Sequence, residues 1–253
     1  MAKRVIDNIK HWILLRGLAR EQQHWGDFVE RSQRVFPDRQ FYCLDLPGCG
    51  EWFKISSPLT IQAIRQHLQQ QIISNNISEP FGVIGLSLGG MVALDWLEKD
   101  EQCLAAVIIN TSSNDFPLHW RLQPKILWRG LAALLSPSAK TRETNILAMS
   151  SRQHRYNSIV INQWVDIQRQ RPVSASTMLR QLIAASRFSA PKSIPNKYGL
   201  VLYSDKDQMV SYRCSKKLAK RFKWPRQCHR HAGHDIPLDD PKWILKQIKR
   251  WHE

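Results

Sequence analysis

The chain has 253 residues, 43% of them apolar and 23% charged, with 37 Lys and Arg against 21 Asp and Glu. That length suits one large domain, or a core domain carrying an inserted subdomain, and 23 aromatic residues with an ordinary apolar content exclude intrinsic disorder. The 11 Gly and 13 Pro are scattered, which excludes collagen-like order, and apolar runs such as residues 105–110 fall far short of the roughly 20 needed to span a bilayer.

In chain order, short apolar runs alternate with longer amphipathic stretches, the pattern of a parallel sheet covered by helices. Residues 12–15 read as a first strand ending at Arg16-Gly17, and residues 21–35 as a helix with Trp25, Phe28 and Val29 near helical spacing. Residues 41–46 form a second strand, closed by the turn-rich Pro47-Gly48-Cys49-Gly50. Thr60 fits the N-cap of a helix carrying Ile61, Ile64, Leu68, Ile72 and Ile73 on one side. A third strand at Phe81–Leu86 runs straight into a helix from Leu88 to about Leu97. A fourth, residues 104–110, is rich in Val and Ile and is expected to be buried on both faces.

The rhythm breaks between about Asn114 and Ala190, where no strand-like run occurs and stretches such as 126–135, 145–149 and 176–186 take its place. It returns with a strand at Tyr198–Ser204, a helix over about 211–222, a short strand near 227–229 and a last helix opened by Asp240-Pro241 as N-cap and first-turn proline. The expected organisation is an α/β core over residues 1–113 and 191–253, with a mostly parallel central sheet and helices on both faces. A helical lid insertion is expected over 114–190.

The formal charge of +16 is mostly diffuse, but between Asp207 and Asp235 stand eight Lys or Arg and no acid. Lys216, Lys217, Lys220 and Arg221 have the spacing of a solvated helix face, with Leu218 and Phe222 turned inward. No aromatic–basic interleaving, zinc finger or helix-turn-helix pattern accompanies the block, so a nucleic-acid partner is not expected. Weak attraction to anionic substrates, a carrier protein or a membrane surface is the alternative to a plain solvated face. The five cysteines are an odd number without zinc-ligand spacing, which points to reduced thiols and a cytoplasmic location. The basic opening Met1-Ala-Lys-Arg4 is followed by an apolar stretch too short for a signal peptide.

The stretch that carries chemistry is Gly85-Leu86-Ser87-Leu88-Gly89-Gly90, with an apolar strand before it and an apolar helix after it. A serine on so sharp a strand-to-helix turn needs small residues two positions either side, because a Cβ there would clash with neighbouring backbone. Gly85 and Gly89 meet that need, and Gly90 lets the helix lie close to the sheet. The turn projects the Ser87 hydroxyl outward and leaves the Leu88 N–H at a helix N-terminus, where it can stabilise an oxyanion.

This pattern resembles the α/β-hydrolase superfamily over nearly the whole chain. The resemblance implies a serine, acid, histidine order, with the acid after a late strand and the histidine before the last helix. Ser204-Asp205-Lys206-Asp207-Gln208-Met209-Val210 is similar to the family's acid loop and puts the acid at Asp207, with Asp205 and Asp115 as competitors. Ala232-Gly233-His234-Asp235-Ile236-Pro237 is similar to the histidine loop, and Asp45-Leu46-Pro47-Gly48-Cys49-Gly50 to a family loop after an earlier strand. Among nine histidines, His234 is singled out by its loop, whereas His229 and His231 suit solvated or core roles. By the same resemblance Leu18 supplies a second oxyanion N–H. Arg16 stands where most relatives have His, free to orient the loop or to reach a substrate anion.

The expected function is that of a serine hydrolase of carboxylic esters, with Ser87 as nucleophile, His234 as base, Asp207 as its orienting acid and the N–H groups of Leu18 and Leu88 as oxyanion hole. In size and arrangement the chain resembles small bacterial esterases, including those that demethylate acyl-carrier esters. No cofactor or metal is implied, and a monomer or weak dimer acting on a small-molecule ester is expected, with an acidic carrier protein as the one macromolecular partner considered. Trp120, Trp128 and the 131–135 run read as an apolar lid over Ser87. Thioester hydrolysis, acyl transfer or cofactor-free haloperoxidase chemistry would use the same triad, and a non-catalytic ligand receptor would keep only the fold.

Overall fold

The computed structural model describes residues 2–77, 79–126, 129, 130, 132, 133, 136 and 138–252. Six strands, β1 (His11–Leu15), β2 (Gln40–Cys43), β3 (Phe81–Leu86), β4 (Cys103–Ile109), β5 (Tyr198–Ser204) and β6 (Arg226–His229), form one sheet in the order β2-β1-β3-β4-β5-β6. Every neighbouring pair is parallel. Helix α1 (Ala2–Asp7) precedes the sheet; parallel neighbours require crossovers, and helices supply them, with α2 (Phe28–Val35), α3 (Ile61–Ser74) and α4 (Leu88–Lys99) coming between β1 and β4. Between β4 and β5 lie α5 (Leu118–Arg121), α6 (Ala139–Ser150), α7 (Ser158–Gln170) and α8 (Ala175–Arg187). After β5 come α9 (Tyr212–Phe222), α10 (Ile236–Asp239) and α11 (Pro241–His252).

Alternate side chains of a strand point to opposite faces, and β1 divides the core accordingly. Ile13 and Leu15 pack with Ile64 and Leu68 of α3, Val92 of α4 and Leu218 of α9. Trp12 and Leu14 pack on the other face with Ile6 of α1, Phe28 of α2 and Ile244 and Ile248 of α11. Residues Ala105 to Ile109 of β4 are all fully buried, as a central parallel strand demands. The result is the parallel sheet with helices on both faces that the alternating pattern implied.

Where the structure departs from expectation, local physics explains it. The stretch 21–35 is not one helix but a single 3₁₀ turn, Gln22–Trp25, followed by α2, because Gly26 adopts φ +55° and ends the first turn. Strand β2 stops at Cys43, three residues short of the apolar run 41–46, although Leu44 and Leu46 remain buried. Thr60 caps α3 through its hydroxyl and the Ala63 N–H, and Ile61, Ile64, Leu68 and Ile72 are buried, but Ile73 is 75% exposed. Adjacent helical residues lie 100° apart, so Ile73 cannot share the face of Ile72.

No strand occurs among the described residues between β4 and β5. Helix α7 falls in a stretch without a sequence cue, and with α6 it builds a separate cluster of Leu147, Val160, Ile161, Trp164, Val165 and Ile167. Helix α8 contributes Ala184 to the core of the sheet itself. Trp120 is partly buried against that core, whereas Trp128, Leu131, Leu134 and Leu135, expected in an apolar lid, lie outside the described residues.

Candidate active site

In parallel α/β sheets, ligands bind beyond the carboxyl ends of the strands, beside the point where the strand order reverses. Here that point is the β1/β3 pair, and the singled-out residues all follow strand ends: Arg16 after β1, Ser87 after β3, Asp207 after β5 and His234 after β6. Ser87 sits between β3 and α4 at φ +55°, a left-handed conformation rare for a residue with a Cβ. Its flanking glycines are sterically obligatory. A Cβ on Gly85 would meet the Gly89 carbonyl oxygen at 2.3 Å, and one on Gly89 would meet the Leu15 carbonyl oxygen at 2.3 Å.

The loop after β1 closes on this turn, since a Cβ on Gly17 would lie 3.3 Å from the Ser87 Cβ and 3.8 Å from its Oγ. Leu18 is the next residue, partly buried, and Leu88 opens α4, where first-turn N–H groups have no partner within the helix.

Asp207 and His234 are joined by a 2.7 Å hydrogen bond between His234 Nδ1 and Asp207 Oδ2, both side chains being almost fully buried. The other carboxylate oxygen of Asp207 accepts from the backbone N–H groups of Met209, at 2.7 Å, and Val210, at 3.0 Å. The competing acids are engaged elsewhere. Asp205 pairs with Arg230 at 3.1 Å, while Asp115 is held by Arg221 and Ser113. His229 bonds Asp240 and accepts two backbone N–H groups in its own loop, which fits the core alternative of the two roles expected for it.

Three consecutive residues at the end of β4 bring the serine and histidine loops together. The Ile109 carbonyl accepts the Ser87 N–H at 2.9 Å, the Thr111 hydroxyl donates to the Ser87 carbonyl at 2.7 Å, and the Asn110 amide donates to the His234 carbonyl at 2.7 Å. Asn110 is itself in the left-handed region and accepts the Ser204 N–H at 3.0 Å, so one side chain braces the loops after both β5 and β6. Burial of the His234 imidazole opposes its protonation, but the Asp207 charge and hydrogen bond, with Asp235 adding, hold its pKa above the ordinary value.

Arg16 is buried and grips Asp235, the residue after His234. Sequence reasoning flagged Arg16 but not its partner, and it missed Asn110 and Gln181. The latter is a fully buried α8 side chain that accepts the Ala19 N–H at 2.8 Å beside the Gly17-Leu18 loop. A buried polar residue on a helix face was the only available signal for it. The cysteines offer no competing nucleophile among those that titrate abnormally: burial pushes the Cys49 and Cys214 thiols up to about 12. A cleft of about 330 Å³ between Gln23, His24 and Trp164 is lined by none of Ser87, Asp207 and His234.

A sequence model of the alpha/beta hydrolase family matches residues 12–247. No curated protein matches the sequence. Among solved structures, a candidate lipase from Acinetobacter baumannii superposes with a TM-score of 0.76 at 16% identity, covering 96% of this chain and 83% of that one. A candidate non-heme bromoperoxidase from Mycobacterium tuberculosis gives 0.73 at 17% identity, over 95% and 91% of the two chains. A thermophilic esterase from Thermogutta terrifontis gives 0.72 at 15% identity, over 95% and 88%. At such identities the structural likeness establishes the fold, and the family match over nearly the full length adds the lineage: the chain belongs to the alpha/beta hydrolase family and is an enzyme of hydrolase type.

Proposed function

We propose that the protein is a serine hydrolase that cleaves carboxylic esters through an acyl-enzyme. The observation that carries this reading is the buried 2.7 Å bond between His234 Nδ1 and Asp207, in a loop braced by the same strand end that holds Ser87. A serine hydroxyl is a weak nucleophile at neutral pH and needs a base within reach. With Nδ1 donating to Asp207, the imidazole presents an unprotonated Nε2. That atom takes the Ser87 proton as the bond from Oγ to the acyl carbon forms and the carbonyl electrons move to oxygen. The Leu18 and Leu88 N–H groups receive that oxyanion, a contribution of roughly 3–4 kcal/mol per donor in comparable sites. Collapse breaks the bond to the alcohol, which leaves with the proton from His234. Water then repeats the sequence and frees the acid.

Residues 114–190 serve in this reading as the cap that receives the acyl group, in a cytoplasmic enzyme with reduced thiols. The cap is anchored beside the acid: the Gln123 side-chain amide donates to the Asp207 carbonyl at 2.7 Å, and its N–H to the Met209 carbonyl at 3.0 Å. The test is hydrolysis of short p-nitrophenyl esters by wild type and Ser87→Ala. A loss of at least about a thousandfold in kcat is expected, with fluorophosphonate labelling abolished, and equal rates would overturn the proposal.

A further inference from the structure

Beside the proposed triad lies a buried ion pair that ester hydrolysis does not by itself call for. Arg16 precedes Gly17-Leu18, and Asp235 follows His234, so the pair joins the neighbours of two loops 219 residues apart. The guanidinium meets the carboxylate with two contacts, Nη1 to Oδ1 at 3.2 Å and Nη2 to Oδ2 at 2.5 Å, and each side chain is 3% exposed. Both ends are themselves fixed. Arg16 lies over the Trp25 ring at 4.9 Å, while Asp235 accepts the Leu238 N–H at 3.3 Å and gives its own N–H to the Ser150 carbonyl at 2.8 Å. Burying two charges costs so much desolvation that an apolar pair of equal volume often stabilises a fold as well or better. A buried pair at this place therefore calls for a role beyond stability.

We propose that Arg16 and Asp235 form one positioning unit for the reaction at Ser87: the pair locks the oxyanion loop to the histidine loop, and Arg16 cancels the field of a second carboxylate so that His234 responds to Asp207 alone. The proposal rests on the ester-hydrolase reading of the triad. The imidazole is faced by Asp207 from the loop after β5, by Asp235 from its own loop and by Arg16 from the loop after β1. Uncancelled, Asp235 would favour the imidazolium and deprive Ser87 of its base. A lysine supplies the charge but not the planar two-pronged grip, so charge and position are separable here.

The experiment compares wild type, Asp235→Asn, Arg16→Lys and the double variant Arg16→Gln/Asp235→Asn. His234 is titrated by NMR of its imidazole, which needs no substrate, and kcat and KM are measured on a p-nitrophenyl ester. Asp235→Asn leaves the Arg16 charge uncancelled and lowers the His234 midpoint by at least about half a pH unit, while the double variant returns it to within about 0.3 unit of wild type. Arg16→Lys keeps the midpoint but loses roughly tenfold in kcat with KM little changed. An unmoved midpoint in Asp235→Asn, a double variant shifted as far as the single one, or wild-type kcat in Arg16→Lys overturns the proposal. Arg16→Lys and the double variant strand no buried charge, so if Asp235→Asn fails to fold, wild-type kcat in Arg16→Lys or a double-variant midpoint more than about 0.3 unit from wild type still overturns the proposal. A wild type that turns over no ester refutes the hydrolase reading instead, and the midpoints still decide the electrostatic half.

Discussion

His234 is buried among two carboxylates and a guanidinium, and in the proposed mechanism the balance among them sets the pH at which it can serve Ser87 as a base. Because the imidazole pKa is raised, the base is neutral only at higher pH than a free histidine would need. The acid limb of kcat/KM is therefore expected above about 6.5, and a midpoint at or below that value would contradict the geometry. Glu21 titrates abnormally for a different reason. Burial, with Asp45 nearby, raises its pKa from 4.5 to about 7, against the pull of Arg171 3.5 Å away. The unfolded chain releases this proton near 4.5 and the folded chain near 7, so in that window the folded state holds more protons and stability falls as pH rises. Glu21→Gln removes this dependence. Relative to wild type, the variant should gain on the order of 3 kcal/mol between pH 4 and pH 8, the free-energy equivalent of the shift, and a gap that stays constant across denaturant titrations would exclude the assignment.

At the scale of elements, the strand–turn–helix from Phe81 to Lys99 was the most legible part of the chain, and the reason is steric. Backbone approaches within van der Waals distance leave Gly as the only solution at 85 and 89, so the chemistry of the turn is written in residue type. Gly89→Ala would press a methyl against the Leu15 and Arg16 carbonyl oxygens, at 2.3 and 2.7 Å, neither of which can swing aside. It is expected to cost upwards of about 2 kcal/mol and most of the activity, measured by urea unfolding and ester turnover. The half-buried Gly130, with open space around its Cβ position, is the matched control. The strands β3 and β5 were equally legible because both are continuous apolar runs bounded by turn residues. Helix α7 was not, since its buried side, Val160, Ile161, Trp164 and Ile167, packs against α6 and the Gln22–Trp25 turn, partners that no local pattern names. The same limit hid the partners of Arg16 and the bracing by Asn110. A side chain's chemistry can be read from the sequence, but which distant loop it meets cannot.

At the scale of the molecule, the excess of positive charge takes on a structural use. Arg213 and Lys217 of α9 lie over Trp120 of α5, at 5.4 and 5.9 Å, and Arg221 lies over Phe116 just before it, so part of the basic helix holds α5 against the core. The rings and cations that looked unrelated along the sequence are interleaved in space. A second, deeper attachment lies where Arg20 of the β1 loop meets Glu143 of α6 at 2.7 Å, donates to His24 and stacks on Trp164 of α7 at 4.4 Å. Glu143 is 1% exposed, so removing it would leave the Arg20 charge buried with its acid gone. Glu143→Ala is expected to destabilise by about 3–5 kcal/mol, whereas Arg20→Met/Glu143→Leu, which fills the space and removes both charges, should recover most of that loss. Because α6 and α7 have an apolar cluster of their own, the loss should fall first on the attachment and not on the sheet. Limited proteolysis of Glu143→Ala should then cut within 114–190 while the sheet core stays resistant. Simultaneous digestion of both parts at the wild-type rate would mean that the pair does not hold the segment in place.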